Sequence, residues 1–216
     1  MNASSTLFAE WIAHLRHERR FANNSLQAYE RDVAAFLDFL CGHLGQEANA
    51  ADLSRLEPRD LRVYLAFRRQ GPDALADRSV SRALAAIRSF YRYLERRHGL
   101  TNARLSLVRG PRLKRTLPRP VSEQAALALI DNAGAENAEA WIGARDAALI
   151  TLIYASGLRI SESLALTGAD HPLPETLRVK GKGGKQRIVP MLAAAREPIA
   201  RYVALCPFAL SNEAPL

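Results

Sequence analysis

The stretch Tyr154–Leu166, YASGLRISESLAL, places one arginine among small and apolar residues. Its glycine, Gly157, predicts the end of one helix and the start of a second, short helix. A guanidinium in such surroundings requires a carboxylate or an anionic ligand, because an unpaired buried charge is unfavourable. Glu162 follows Arg159 by three residues and can reach it on the same helical face. By itself the stretch is equally compatible with a local ion pair and with an arginine that binds phosphate.

A glycine- and lysine-rich segment follows. Residues 176–190, TLRVKGKGGKQRIVP, alternate in polarity around two central glycines, which predicts a β-hairpin. Three of the four lysines in the chain lie here, namely Lys180, Lys182 and Lys185. Lysine can give up a proton where arginine cannot, so their position favours proton transfer. A phosphate-binding arginine and such a lysine suit phosphodiester cleavage. The segment lacks the spacing and the Ser or Thr of a P-loop.

Charge is distributed unevenly along the chain. The 216 residues include 30 Lys and Arg against 22 Asp and Glu, a net charge of +8. Residues 1–121 contain 21 basic and 12 acidic side chains, a net charge of +9, and the remaining residues have a net charge of −1. An excess of positive charge confined to one part of the chain predicts a polyanionic partner that contacts mainly that part.

Helical periodicity dominates residues 1–103 and predicts a compact bundle of four helices, with a polar loop from Gly45 to Pro58. The clearest helix spans about Asp77–His98. Its apolar stripe consists of Val80, Leu84, Ile87, Tyr91 and Leu94. Four arginines lie roughly opposite this stripe: Arg78, Arg82, Arg92 and Arg96. They are compatible with a solvated outer face and with a face that contacts DNA phosphates.

Residues 104–121 contain six basic side chains, three prolines and no acidic residue. This composition predicts an extended basic linker between a first domain, residues 1–103, and a second, residues 122–216. The linker and the uneven charge favour the DNA-binding interpretation of the helix arginines. We expect Arg112, Lys114 and Arg115 in the linker, and Lys180 and Lys185 in the hairpin, to contact DNA as well.

Other features exclude several classes of protein. No apolar run approaches the length of a membrane span, and the N-terminus lacks the layout of a signal peptide. The two cysteines, Cys41 and Cys206, are far apart and form no C-x-x-C pair, so neither a disulfide framework nor a zinc site is indicated. We therefore expect a cytoplasmic protein without a membrane partner, and the expected DNA partner implies that it is nucleoid-associated.

Two groups of segments carry a resemblance to a known family. RDAALITLIYASGLRISESLAL followed by VKGKGGKQRIVP closely resembles the tyrosine site-specific recombinases of the phage integrase family, particularly the bacterial Xer type. LRHERRFANNSLQAYERDVAAFLDFL, with SVSRALAAIRSFYRYLERR, is similar to their SAM-like core-binding domain. The resemblance covers nearly the whole chain. It implies a mainly α fold, in which the first part of an α-rich catalytic domain with a small β-hairpin follows the core-binding domain.

The resemblance also implies roles for individual residues. Arg159 corresponds to the first catalytic arginine, Lys182 to the hairpin lysine that protonates the leaving group, and Glu162 to the acidic residue that supports the arginine. The family cleaves double-stranded DNA through a tyrosine nucleophile, which forms a 3′-phosphotyrosine link and frees a 5′-hydroxyl, without a nucleotide cofactor or catalytic metal. Four protomers act on two DNA sites through a Holliday junction. Xer proteins usually act in pairs, which implies a second protomer, possibly a paralogue, and a role in chromosome-dimer resolution at cell division.

The chain departs from the family pattern after the hairpin. Neither the His-x-x-Arg motif nor a C-terminal nucleophilic tyrosine follows it. Tyr202 is the only tyrosine after Pro190, and its helical surroundings favour a packing role. A literal match, His17–Arg20, lies in the first predicted helix and does not qualify. We therefore expect a truncated, DNA-binding fragment of a recombinase that is inactive on its own.

Three alternatives remain compatible with the sequence. A phage or mobile-element integrase would share these features, and so would a non-catalytic DNA-binding or architectural protein on the same fold. A phosphate-transferring enzyme that uses the Gly-Lys hairpin on a nucleotide is less well supported. That enzyme would bind ATP measurably, which we do not expect of this chain.

Overall fold

A computed structural model describes residues 3–113, 120–135, 139–181 and 184–216. The chain divides into a first unit, Met1–Thr116, and a second unit, Leu117–Leu216. The helices of the first unit are α1 (Ala3–His17), α2 (Asn23–Leu44), α3 (Ala50–Arg55), α4 (Pro58–Phe67) and α5 (Asp77–His98). The second unit contains α6 (Glu123–Ala135), α7 (Ala140–Ser156), α8 (Ile160–Ser163), β1 (Thr176–Lys180), β2 (Gln186–Pro190) and α9 (Ala193–Leu205). The predicted mainly α class with a small hairpin is confirmed.

The core of the first unit forms where α1, α2, α4 and α5 meet. Helix α5 has the predicted bounds, and its predicted apolar stripe is buried. Trp11 of α1 lies at the centre, fully enclosed, with its ring edge-on to Phe90 at a centroid distance of 5.4 Å. This packing buries one face of α5 and leaves its arginine-bearing face outside the core.

The prediction of a loop from Gly45 to Pro58 is wrong, because α3 lies within it. The side chain of Asn49 accepts hydrogen bonds from the N–H groups of Ala51 and Asp52, at 2.8 and 3.0 Å. In return the Asp52 carboxylate accepts one from the N–H of Asn49 at 3.0 Å. This reciprocal capping starts a helix and places Leu53 in the first core.

The start of the predicted linker also differs from the expectation. Residues Ala103–Leu107 form a 3₁₀ helix, and Leu105 and Val108 are buried in the core of the first unit. The side chain of Asn102 donates hydrogen bonds to the carbonyls of Leu53 and Leu56, at 3.2 and 2.9 Å. The start of the predicted linker is therefore packed rather than extended, because Leu105 and Val108 complete the core of the first unit.

The second unit is built on α7 and the hairpin. Strands β1 and β2 are antiparallel, with Leu177 opposite Val189 and Val179 opposite Arg187, which confirms the predicted hairpin. The strand side chains Leu177, Val179 and Val189 join α7 and α9 in one core. Throughout the described ranges, no helix is both long and apolar enough to cross a lipid bilayer.

Candidate active site

Arg159 lies at the junction between α7 and α8. Gly157, directly after the last residue of α7, has the left-handed conformation, at φ 62°, and its N–H donates to the carbonyl of Ile153 at 2.9 Å. Leu158 is buried in the second core, so the backbone beside Arg159 is anchored. Arg159 itself precedes the first residue of α8 in an extended conformation. Its side chain is 63% exposed and is open to a ligand.

The side chain of Glu162 is almost completely buried beside this arginine. One carboxylate oxygen, Oε2, accepts a hydrogen bond from the backbone N–H of Arg159 at 2.8 Å. The other, Oε1, lies 2.9 Å from Arg159 Nη1. The predicted local ion pair is thus confirmed. The pair engages only Nη1 of the Arg159 guanidinium, so ion pairing and phosphate binding are compatible in this geometry. Phosphate binding by Arg159 stays a prediction.

A second arginine, Arg187 of β2, contacts the same carboxylate and was missed in the sequence analysis. Its Nη1 and Nη2 donate to Oε1 and Oε2 of Glu162 at 2.6 and 2.8 Å, a bidentate pair. These bonds, together with those from Arg159, lower the pKa of Glu162 to about 2, although burial acts in the opposite direction. Two guanidinium groups thus surround one ionised carboxylate, which leaves a net charge of +1. We call Arg159, Glu162 and Arg187 the arginine cluster.

A sequence signal for Arg187 did exist. Along β2, Arg187 and Val189 lie on the same face of the strand, and Val189 belongs to the core. A charged residue on the core-facing side of a strand requires a partner. The strand register also indicates that Arg187 faces the core, because Arg187 lies opposite Val179, which is buried.

The hairpin approaches the arginine cluster through Gly181. The N–H of Gly181 donates to the carbonyl of Lys185 at 2.7 Å. A Cβ atom placed on Gly181 would lie 3.4 Å from Glu162 Oε1 and 3.6 Å from Arg159 Nη1. Lys180 and Lys185 are exposed on either side of the turn. Lys182 lies outside the described residues, so its role as a proton donor stays a prediction.

The predicted DNA-binding arginines of the first unit fall into two groups. Arg82 forms a bidentate pair with the buried carboxylate of Asp32, through Nε at 2.8 Å and Nη2 at 3.2 Å. It therefore has a structural partner within the bundle. Arg78, Arg92 and Arg96 are exposed. Arg92 and Arg96 line a cavity of about 320 Å³, together with Arg19 and the aromatic rings of Tyr29 and Tyr93.

The linker residues are described only in part. Arg112 is exposed. Lys114 and Arg115 lie outside the described residues. Their predicted contacts with DNA, like those of the exposed arginines of α5, stay predictions.

Tyr202, the only tyrosine after the hairpin, lies in α9 against the second core. Cys206 Sγ lies 3.8 Å from its hydroxyl group. The pKa of Tyr202 is raised, chiefly because the side chain is partly buried and secondly because of this hydrogen bond. A phenol that resists ionisation and packs against a core is poorly suited to nucleophilic attack.

Comparison with known proteins finds a family match for each of the two units. Residues 8–98 match the phage integrase N-terminal SAM-like domain, and residues 121–214 match the phage integrase family. The chain belongs to the phage integrase family. It is 47% identical over 208 residues to the tyrosine recombinase XerC of Rhizobium meliloti (strain 1021), a match that covers 95% of this chain. It is 44% identical over 210 residues to XerC of Brucella suis biovar 1 (strain 1330), which covers 96%. This integrase-family chain spans 64% and 66% of the length of these two relatives.

Solved structures share the fold at low sequence identity. One is the XerH site-specific recombinase bound to its palindromic difH substrate in a post-cleavage complex. It is 18% identical, with a TM-score of 0.63 over 97% of this chain and 63% of that one. A lambda integrase tetramer bound to a Holliday junction is 15% identical, with a TM-score of 0.68 over 100% of this chain and 62% of that one. The SAM-like and integrase folds implied by the sequence are therefore confirmed.

Proposed function

We propose that this chain serves site-specific DNA recombination of the Xer type, in which these 216 residues bind DNA and hold the scissile phosphate. The observation that carries the proposal is the exposed Arg159 guanidinium, oriented by a buried and ionised Glu162. A fixed cation beside an open surface is suited to a phosphodiester, whose charge grows as the phosphorus is attacked. Similarity to XerC over 95% of the chain supports the same function.

The proposed mechanism assigns a role to each group. Arg159 binds a non-bridging oxygen of the scissile phosphate and stabilises the charge that develops there. Lys182 protonates the leaving 5′-oxygen. A tyrosine attacks the phosphorus and forms the 3′-phosphotyrosine intermediate, which the freed 5′-hydroxyl of the partner strand resolves. Each step exchanges one phosphodiester for another, so the bond energy is retained and no nucleotide is required.

The exposed basic residues are proposed to hold the duplex. In the first unit these are Arg78, Arg92, Arg96 and Arg112, with Lys114 and Arg115 further along the chain. In the second unit they are Lys180 and Lys185. We propose that the whole protein acts with a second protomer, possibly a paralogue, in a tetrameric complex during chromosome-dimer resolution. A chromosomal substrate implies a cytoplasmic location near the nucleoid.

Salt dependence tests the proposed DNA binding. The affinity of the 216-residue chain for a short duplex is measured by fluorescence anisotropy as the salt concentration rises. Each neutralised phosphate contributes roughly −0.9 to the slope of log affinity against log salt concentration. We expect a slope of about −4 or steeper, because several arginines and lysines are proposed to contact phosphates. A flat response would overturn the proposal.

The second candidate is a non-catalytic DNA-binding protein on the same fold, and the environment of Tyr202 favours it for these 216 residues. We propose that the chain alone forms no covalent link to DNA. Incubation with a nicked suicide duplex, followed by denaturing electrophoresis, tests this point. An adduct that persists after denaturation, and that is lost in Tyr202→Phe, would show that Tyr202 is the nucleophile and would contradict our assignment.

A further inference from the structure

The Arg187 side chain bridges the hairpin and the residue that orients Arg159. Its guanidinium binds both oxygens of Glu162, at 2.6 and 2.8 Å, and the same two oxygens bind the backbone and the guanidinium of Arg159. The Glu162 side chain is 4% exposed, and that of Arg187 is 39% exposed. Water therefore has little access to the carboxylate, and its orientation is set by these two arginines.

We propose that Arg187 is a positioning residue for the recombination chemistry: it fixes the plane of the Glu162 carboxylate and thereby aims the Arg159 guanidinium at the phosphate. This inference rests on the proposed function of Arg159. With Arg159 alone, the backbone N–H fixes Oε2, but Oε1 is held by one nitrogen of a side chain that is 63% exposed, so the carboxylate can still rotate together with that side chain. The planar fork of Arg187 removes that freedom, since two parallel hydrogen bonds define an orientation as well as a distance.

Charge provides a second reason for this arrangement. Arg159 and Glu162 alone would form a neutral pair, and the carboxylate would offset much of the attraction between Arg159 and a phosphate. With Arg187 present, the arginine cluster carries a net charge of +1. Glu162 can thus orient Arg159 without cancelling the positive charge that the phosphate requires.

The position of Arg187 on β2 also links Arg159 to the hairpin. Arg187 lies opposite Val179, two residues before Gly181, and a Cβ atom on Gly181 would lie 3.6 Å from both Arg159 Nη1 and Arg187 Nη1. The strands that lead into the lysine-bearing turn are therefore held against the arginine cluster. Arg187 would fix where this turn begins relative to Arg159.

A double-mutant cycle on the 216-residue chain separates positioning from independent binding. The duplex affinity is measured for the wild type, Arg187→Gln, Arg159→Gln and the double variant. We expect Arg187→Gln alone to weaken binding about three- to ten-fold. In the Arg159→Gln background the same change should weaken binding clearly less, because the group that Arg187 positions is absent and only the charge of Arg187 is removed. Equal losses in both backgrounds would overturn the proposal, since Arg187 would then act on DNA by itself.

Arg178→Gln is the matched control. Arg178 lies on β1 of the same hairpin and is exposed, opposite Ile188. The variant therefore removes the same charge from the same hairpin without touching Glu162. We expect a loss of affinity of less than about two-fold. If Arg178→Gln and Arg187→Gln weaken binding equally, general charge explains the effect and the positioning role is refuted.

A spectroscopic measurement tests the cluster without DNA. The carboxyl carbon of Glu162 is followed by NMR as the pH changes, and we expect the pKa of Glu162 to rise in Arg187→Gln and to stay low in Arg178→Gln. An unchanged pKa in Arg187→Gln would contradict the inference. This titration needs no ligand, so it tests the role of Arg187 even if the wild type fails to bind a duplex. Failure of the wild type to bind would overturn the proposed function and leave the result of the titration unaffected.

Arg187→Lys covers the possibility that Arg187→Gln disrupts folding of the second unit. Lysine keeps the charge but has no planar fork, so we expect a folded protein with an affinity between those of the wild type and Arg187→Gln. Thermal unfolding is followed in parallel. Full wild-type affinity in a folded Arg187→Lys variant would show that charge alone suffices and would exclude the proposed orientation of the carboxylate.

Discussion

Asp32 and Arg82 form a bidentate ion pair between α2 and α5, with Nε–Oδ2 and Nη2–Oδ1 distances of 2.8 and 3.2 Å. The Asp32 carboxylate is 2% exposed and the Arg82 side chain is 36% exposed. The pair therefore lies at the edge of the first core, with its acidic member inside. A buried carboxylate that loses its partner is left uncompensated, so this contact joins the two longest helices of the first unit.

Arg82→Met is expected to destabilise the first unit by roughly 2–3 kcal/mol. This loss of stability is smaller than that expected for a fully buried ion pair, because the Arg82 side chain is partly solvated. Chemical denaturation followed by tryptophan fluorescence measures the effect. The chain has two tryptophans, Trp11 in the first unit and Trp141 in the second, so a Trp141→Phe background restricts the signal to the first unit.

The double variant Asp32→Leu/Arg82→Met provides the control. Replacing both members of a buried pair with apolar residues is often close to neutral, whereas removing one leaves a buried charge. We expect the double variant to be more stable than Arg82→Met. If both variants lose the same stability, the cost comes from lost packing of the arginine side chain, and the ion pair contributes little.

Arg92 and Arg96 of α5 should behave differently from Arg97 of the same helix, which forms an ion pair with Glu18. Arg92→Gln/Arg96→Gln should weaken duplex binding several-fold and make the salt slope shallower by about 2, one for each lost phosphate contact. Arg97→Gln removes the same kind of charge from the same helix, but Arg97 is paired with Glu18. Its salt slope should match that of the wild type. If Arg97→Gln changes the affinity and the salt slope as much as Arg92→Gln/Arg96→Gln does, the effect comes from the overall charge of the helix.

Long periodic elements were predictable, and short capped ones were not. The apolar stripe of α5 persists over a 22-residue helix, so its period predicts both ends of the helix. Helix α3 has six residues, which is too short for a period to develop. Its signal is the capping pair Asn49 and Asp52, which a search for apolar periodicity does not detect.

The candidate site was predictable where its contacts are local. Arg159 and Glu162 are three residues apart, and their spacing on one helical face predicts the ion pair. Arg187 contacts Glu162 from 25 residues away, and Arg82 contacts Asp32 from 50 residues away. Those partners depend on how a strand or helix packs against another element. A helical projection places Arg82 on the outer face, but it contains no information about a neighbouring helix.

Gly157 is expected to require glycine, because its φ of 62° lies in the left-handed region. Gly157→Ala should destabilise the second unit by about 1 kcal/mol and weaken duplex binding, since the strain falls two residues before Arg159.

Gly42 is expected to tolerate alanine, in contrast to Gly157. It lies within α2, and beyond the adjoining backbone of that helix no described atom is within 4 Å of a Cβ placed there. Gly42→Ala should stabilise the first unit by about 0.5–1 kcal/mol. Denaturation curves for both variants check the two signs, and a stabilising Gly157→Ala would refute the strain.

The ionisation of Glu162 should make the second unit sensitive to acid. Its pKa is lowered from 4.5 to about 2, chiefly by hydrogen bonds from Arg187 and Arg159. A group whose pKa is depressed by folding stabilises the protein above its unfolded pKa, and this contribution disappears as the pH falls through the folded value. The contribution of Glu162 to stability should therefore be complete above about pH 4.5 and lost progressively toward about pH 2.

Denaturation curves collected from neutral pH down through this range test the prediction. Glu162→Gln should be less stable than the wild type at about pH 6 to 7, and the difference in the free energy of unfolding should narrow as the pH falls. The exposed Glu175 provides a control. If the gap between wild type and Glu162→Gln stays constant with pH, or if Glu175→Gln reproduces its narrowing, the two arginines do not hold the Glu162 carboxylate in its ionised form.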